Sequence, residues 1–243
     1  MSFSIERSGI QGILLDIEGT TTPISFVYDI LFPFARTQSA KYLQLNGGQP
    51  RVREILDQIK RDHVADCEAG HGPPLWEDPP LAYLYWLMEH DRKLTGLKTL
   101  QGLIWEDGYR SGRLHGQVFS DVVPALQRWN KRKLDVRIFS SGSVLAQRLL
   151  FENSEQGNLA PMLRGYFDTT MGSKSDPESF RKIAQAFALP PRQILFISDV
   201  SAELDAAKES GYATLLCVRP GNRPQDEHGH QTISSFDEIQ DSE

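Results

Sequence analysis

Only two cysteines occur in the 243 residues, Cys67 and Cys217. They stand far apart and in no metal-ligand spacing, so buried free thiols in a reducing compartment are expected, not a disulfide. Long apolar runs are missing as well. Glu6 and Arg7 are followed by a very short apolar stretch, which is neither a secretory signal nor a membrane span, and a cytoplasmic protein with no membrane partner is expected. Basic charge is in the minority, with 26 Lys and Arg against 32 Asp and Glu for a net charge of -6. That balance offers no broad attraction for nucleic acid, although a local metal ion and one lysine can still hold a small phosphorylated substrate. Internal repeats and low-complexity tracts are absent. What remains is ordinary globular composition, 40% hydrophobic and 24% charged, enough for one large or two modest domains.

The most informative stretch is Ile13-Leu14-Leu15 running into Asp16-Ile17-Glu18-Gly19-Thr20. Side chains at i and i+2 of a strand share a face, so Asp16 and Glu18 can address one ligand while Ile17 turns away. An acidic loop turned by Gly19 is the plain alternative. After this strand the pattern becomes helical. Val27, Ile30, Leu31 and Phe34 predict one buried face, and Val52, Ile55, Leu56 and Ile59 another. Asp78-Pro79 predicts an N-cap with proline at the first helical position, opening a helix whose shared face is Leu81, Leu84, Tyr85 and Met88. Leu97, Leu100, Leu103 and Ile104 continue the theme. Residues from about Pro23 to Leu114 therefore read as a helical unit, with Gly70-His71-Gly72-Pro73-Pro74 as an internal loop.

From Asp121 onward strands alternate with helices. A helix capped at Asp121 carries Val122, Leu126 and Trp129 and leads into the strand Val136 to Phe139, which ends at Ser140-Ser141-Gly142-Ser143. A helix follows, then Tyr166-Phe167-Asp168, a helix from Ser179 to Phe187, the strand Ile194 to Ile197 ending at Ser198-Asp199, an alanine-rich helix with Glu203, and the strand Thr214 to Val218. This alternation implies a parallel sheet with right-handed crossovers. The isolated first strand most economically joins that sheet, which makes the helical unit an insertion. The tail from Pro220 is expected to be polar loop with one short strand.

Polar groups thus collect at strand and loop ends: Asp16 and Glu18, Ser140 and Ser141, Lys174, and Asp199 with Glu203. In a parallel sheet all carboxyl ends lie on one edge, so these groups can converge. An Asp nucleophile, a neighbouring acid, a hydroxyl, a cation and further carboxylates for a hard metal suit phosphoryl transfer through an aspartyl-phosphate. Phosphate-monoester hydrolysis can need acceleration on the order of 10^21, whereas one general acid supplies roughly 10^2 to 10^4, so the whole set is required. Mg2+ is the expected metal, with Lys174 and Ser140 holding the oxygens where charge develops. Taken singly, Lys174 reads as a solvated surface lysine and Ser140 as a helix cap; their order with the acids gives them meaning.

In that order and context the chain resembles the haloacid dehalogenase superfamily. Asp16-Ile17-Glu18-Gly19-Thr20 is similar to its first motif, Val136 to Ser140 to its second, Lys174 to its lysine motif, and Asp199 with Glu203 to its acidic motif. Ser175 follows Lys174 where proline is common. Glu18 in place of the usual second Asp, with Thr20-Thr21-Thr22-Pro23-Ile24, Ile104-Trp105-Glu106-Asp107-Gly108-Tyr109 and Phe139-Ser140-Ser141-Gly142-Ser143, resembles the enolase-phosphatases (acireductone synthases) of methionine salvage over nearly the whole chain. The resemblance implies an α/β Rossmannoid core, residues 1–22 and 115–243, with an all-helical cap over 23–114. It implies enolisation of a diketo-methylthiopentyl phosphate and its dephosphorylation to the acireductone, with one Mg2+ per chain. Asp16 is then nucleophile and metal ligand, and Glu18 the acid/base group whose carbonyl faces the metal. Ser140, Ser141 and Lys174 contact phosphate, Asp199 is the remaining metal ligand, and Glu203 acts through water. Close carboxylates disfavour double ionisation and Mg2+ keeps Asp16 charged, so the proton is expected on Glu18.

Other readings stay open at this point. A phosphatase for another small phosphate ester fits the same spacing, because cap loops choose the substrate. A dehalogenase has no use for Glu18 with a magnesium site. A signalling receiver pairs strand-end acids with lysine and Mg2+, but Glu18 and the helical insertion argue against it. A silent phosphate-binding protein is the last alternative. Phe26 and Trp105 are candidates for an apolar substrate tail, while Trp76 and Trp86 read as helix packing. Asp205 reads as surface helix. His228 and His230 beside Asp226 and Glu227 mimic a metal site, yet Gly229 and polar neighbours favour a loop, and no metal is placed there. The sequence does not fix the oligomeric state; a monomer is the working expectation.

Overall fold

The computed structural model describes residues 3–92, 94–225 and 228–240. The chain divides into two compact units, one running up to Val27 and resuming at His115, the other from Tyr28 to Leu114. The first unit opens with β1 (Phe3–Ser4) and β2 (Gly12–Leu15). Every residue of β2 is buried, as an inner strand of a parallel sheet covered on both faces requires.

The second unit is helical. A π-helical turn over Phe26–Leu31 leads into α1 (Phe32–Asn46). That turn carries an extra residue and shifts the phase, so the predicted stripe holds at Val27 and Leu31 but not at Ile30, which is 40% exposed, or at Phe34, and α1 buries Ala35, Ser39 and Leu43. In α2 (Pro50–Glu68) the predicted stripe holds, burying Val52, Ile55 and Ile59 and continuing through His63 and Asp66. Asp66 accepts from Tyr83 Oη at 2.7 Å and pairs with Arg92 at 2.6 Å and His71 at 2.9 Å, so its buried charge is fully partnered. Cys67, one position past Asp66 and off the buried stripe, is exposed; the expectation of two buried thiols holds only for Cys217.

Asp78-Pro79 does not start a helix as predicted. The next residue is also proline, which disfavours helical backbone at Pro79, and α3 (Leu81–Glu89) begins after Pro80. Its buried face is Tyr83, Leu84 and Leu87; of the predicted stripe Leu84 is buried, while Leu81, Tyr85 and Met88 are only half-buried. In α4 (Thr95–Arg110) Leu97, Leu100, Leu103 and Ile104 are buried as expected.

Back in the first unit, α5 (Val122–Lys131) buries Val122, Leu126 and Trp129. Asp121 occupies the N-cap position as expected but makes no side-chain capping bond; its carboxylate instead accepts from Phe236 N at 2.6 Å and pairs with Arg219 at 2.9 Å. Then come β3 (Asp135–Phe139), α6 (Val144–Glu152), β4 (Gly165–Phe167), α7 (Pro177–Phe187), β5 (Ile194–Ser198), α8 (Ser201–Glu209), β6 (Ala213–Cys217), β7 (Gln231–Ile233) and β8 (Ile239–Gln240). Among the described residues the main sheet has the order β4-β3-β2-β5-β6-β7, all parallel, and β1 pairs with β8 separately. The tail thus supplies two short strands where one was expected. His230 in that tail is buried, its ring within 3.0 Å of both Thr214 Oγ1 and the exposed Asp205, and is not part of a solvated loop. Asp226 and Glu227 lie outside the described residues.

Sequence explains the helix beneath the sheet. Asp176 caps α7 by accepting from Glu178 N, Pro177 fills its first position, and Ala188 ends it in the left-handed region at φ 54°. Its buried stripe of Phe180, Ile183 and Phe187 packs with Leu14, Phe139, Phe196 and Leu216. Phe180 lies 5.0 Å from the Phe196 ring and 5.7 Å from the Phe139 ring, an aromatic floor whose truncation to alanine costs about 3 to 5 kcal/mol.

Candidate active site

β2 pairs in register with β3 and β5, Leu15 lying opposite both Ile138 and Ile197. Asp16, one residue further, is tied by its amide to Ile197 O at 3.0 Å, and its side chain is nearly inaccessible. The chain then turns tightly: Ile17 O accepts from the amides of Thr20, Thr21 and Thr22, and Gly19 takes φ +71°. Glycine is required there. A Cβ would lie 2.3 Å from Asp199 Oδ2.

Lys174 reaches the site from the loop before α7. Its ammonium donates to Asp16 Oδ1 at 2.5 Å and to Glu203 Oε2 at 2.7 Å, while Ser198 Oγ donates to the same Glu203 oxygen at 2.8 Å. Glu203 therefore anchors the lysine directly, a role that the sequence reading, which had it act through water, did not assign. Burial alone would lower the Lys174 pKa, but Asp16 and Glu203 more than reverse it, and its charge is secure. Asp16 is pushed up to about 8, chiefly by burial; Lys174 opposes the rise, while Glu203 and Asp199 add to it. Asp199, at the end of β5, rises to about 6 through burial and the nearby Glu203, with Glu18 adding a smaller push and Lys174 opposing it. A single ammonium faces several crowded carboxylates, so the cluster carries an excess of negative charge in poor solvent.

The remaining predicted residues fall as follows. Glu18 is half-buried just past β2. Ser140 is buried at the carboxyl end of β3, its amide bonded to Phe167 O and its Oγ accepting from Gly142 N at 3.3 Å; Ser141 is exposed beside it. Ser143, not Ser140, caps α6. Asp16, Lys174, Glu203 and Asp199 form one cluster, with Ser140 on the neighbouring strand end. Phe26 is buried in the first unit; Trp105, in the second, is buried and donates from Nε1 to Leu31 O at 2.9 Å.

Three supporting residues were missed in the sequence. Gln147 Nε2 donates to Gly142 O at 2.7 Å and Phe167 O at 2.8 Å, pinning the serine loop. Arg219 donates to Thr20 O at 3.2 Å and to Ser234 O at 3.0 Å, pairs with Asp121, and lies between the rings of Phe119 and Phe236. Asn222 Nδ2 donates to Gly19 O at 2.9 Å and Cys217 O at 3.2 Å. The available signal was a polar Arg-Pro-Gly-Asn turn directly after a buried strand.

The profile of the haloacid dehalogenase-like hydrolases matches residues 10–211. The chain belongs to that family of hydrolases. CbbY of Rhodobacter sphaeroides shares its fold at 14% identity, with a TM-score of 0.57 over 93% of this chain and 95% of that one. Within the family, enolase-phosphatase E1 of Synechococcus elongatus is 49% identical over 95% of this chain and 98% of its own, which places the chain among the enolase-phosphatases. The crystal structure of the Saccharomyces cerevisiae Unknown transcript 4 protein is 34% identical, with a TM-score of 0.77, covering 94% of this chain and 99% of that one.

Proposed function

We propose that this chain is a Mg2+-dependent enolase-phosphatase that enolises a diketo-methylthiopentyl phosphate and dephosphorylates it to the acireductone of methionine salvage. The observation that carries the reading is the placement of Asp16 against Lys174 at a strand end, crowded by Asp199 and Glu203. The donor set fits a hard cation. Carboxylates outnumber the one ammonium, those of Asp16 and Asp199 are pushed up by burial and neighbouring acids, and Asp199 Oδ2 packs against Gly19 in the turn past Asp16. Asp16, Asp199 and the Glu18 carbonyl would hold one Mg2+. When bound, Mg2+ neutralises phosphate charge and aligns the ester.

The side chains then divide the work. Asp16 Oδ attacks phosphorus, forming the aspartyl-phosphate while the ester oxygen leaves; water hydrolyses that acyl phosphate and regenerates the carboxylate. Glu18 exchanges the protons: starting protonated, it gives its proton to the carbonyl oxygen, takes the proton of the carbon acid, passes that proton to the leaving oxygen, and is reprotonated by the water that hydrolyses the acyl phosphate. Lys174, with the Ser140 and Ser141 hydroxyls, holds the phosphoryl oxygens. Glu203 keeps Lys174 aimed. Substrate choice is assigned to the helical unit of residues 28–114, as expected of an insertion in this fold.

No helix among the described residues is long and apolar enough to cross a membrane. A small-molecule substrate, met in the cytoplasm by a monomer, is part of the same proposal. The test is to give purified protein and Mg2+ the diketo phosphate and follow enol absorbance and phosphate release together. Both signals are expected to rise. Phosphate without an enol product would point to a simpler phosphatase, and neither signal would refute the reading.

A further inference from the structure

We propose that Asn222 is a positioning residue of the metal site: its amide nitrogen fixes the Gly19 turn, and its amide oxygen accepts a hydrogen bond from a hydration water of the Mg2+ beside Asp199. The inference rests on the Mg2+ reading above and extends it to a residue outside the site motifs. The orientation of the amide is set by its donors. Nδ2 has two carbonyl acceptors, Gly19 O at 2.9 Å and Cys217 O at 3.2 Å, so the opposite assignment would set oxygen against oxygen twice.

Oδ1 is consequently turned the other way. It is buried and has no hydrogen-bond partner among the described residues. Its surroundings explain what it faces. A Cβ placed on Gly19 would meet Asp199 Oδ2 at 2.3 Å and Asn222 Oδ1 at 2.9 Å, so both oxygens pack against the Gly19 Cα and lie close to one another. A lone buried acceptor beside a carboxylate is unfavourable unless a donor reaches the two of them. Mg2+ sheds its waters reluctantly and commonly keeps several, and those waters are strong donors. The metal shell therefore supplies the partner that the protein withholds. Asn222 also ties that shell mechanically to the catalytic loop, since the carbonyl it grips belongs to the residue following Glu18.

Calorimetric titration of Mg2+ into the metal-free full-length chain tests this without reference to turnover. Asn222→Ala removes both contacts and is expected to weaken Mg2+ about tenfold or more, the size of effect seen when a partner of a metal shell is lost. Asn222→Asp keeps an acceptor oxygen but sets charged oxygen against the two carbonyls that Nδ2 serves, and is expected to bind Mg2+ more weakly than the parent yet more tightly than the alanine variant. Alanine-variant affinity equal to the parent's overturns the proposal. So does an aspartate variant weakened as much as the alanine variant, because the effect would then belong to the Nδ2 bonds alone. If the alanine variant does not fold, Asn222→Ser replaces it in the same comparison. A parent chain that takes up no Mg2+ would instead refute the metal reading on which the proposal stands.

Discussion

Lys174 Nζ donates to Asp16 Oδ1 across 158 residues of sequence, in a setting where both side chains are almost fully buried. The pair joins the loop before α7 to the end of β2, and Glu203 fixes its far side at 2.7 Å. Removing the ammonium leaves the buried carboxylates without their cation and the phosphoryl oxygens without a donor. Lys174→Ala is expected to lower kcat by about 10^2 to 10^3-fold. Lys174→Arg is expected to restore little, since a planar fork does not reproduce a compact ammonium held between two carboxylates. Steady-state kinetics at saturating Mg2+ measure both; an arginine variant near parental rates would contradict the geometry.

Glu18, two residues past Asp16, is half-buried where Asp16 is buried. Glu18→Gln keeps the backbone carbonyl and the side-chain shape while removing the proton carrier. Turnover is expected to vanish, with Mg2+ affinity nearly intact by calorimetry. Unchanged phosphate release would refute its assignment as acid/base.

Gly19 combines φ +71° with a Cβ position 2.3 Å from Asp199 Oδ2. Gly19→Ala must displace that carboxylate or the turn itself. The left-handed backbone costs about 1 to 2 kcal/mol with a side chain present. Thermal unfolding is expected to show that loss, and Mg2+ titration a weaker site; unaltered Mg2+ affinity would show that Asp199 has no part in binding the cation.

The raised carboxyl pKa values predict how pH and metal act together. In the metal-free chain Asp16 holds its proton to about 8, whereas an unfolded aspartate loses it near 3.8. The folded state therefore binds more protons across that window, and its stability falls as pH rises through it. Mg2+ must displace those protons, from Asp199 at about 6 as well as from Asp16. Apparent Mg2+ affinity is expected to climb between about pH 6 and 8, with proton release detected by repeating the calorimetry in buffers of different ionisation heat. Binding without proton release at pH 6 would contradict this.

The place of Asp16 was legible in the sequence because the signal is local: a short buried apolar strand runs directly into an acid, although an acidic loop turned by Gly19 fitted Asp16-Ile17-Glu18 equally well. The parallel core was legible for the same reason, each strand being short, apolar and followed by a helix. Two helix faces were misjudged where local backbone broke the periodicity, at the π turn before α1 and at Pro79-Pro80 before α3. Arg219 and Asn222 escaped notice because their partners, Thr20 O and Gly19 O, lie 199 and 203 residues away, and a backbone carbonyl leaves no mark in the sequence. Glu203 was seen as an acid near the site, but its grip on Lys174 depends on how α8 packs beside the loop before α7.

The central claim is that Asp16 accepts the phosphoryl group. Rapid acid quench of the Mg2+-loaded enzyme turning over substrate with radiolabelled phosphate, followed by peptide mapping, tests it directly. The account predicts transient label on the peptide containing Asp16, discharged by hydroxylamine, and neither label nor phosphate release in Asp16→Asn. Phosphate release by folded Asp16→Asn at the parental rate, with no labelled peptide in either protein, would contradict it.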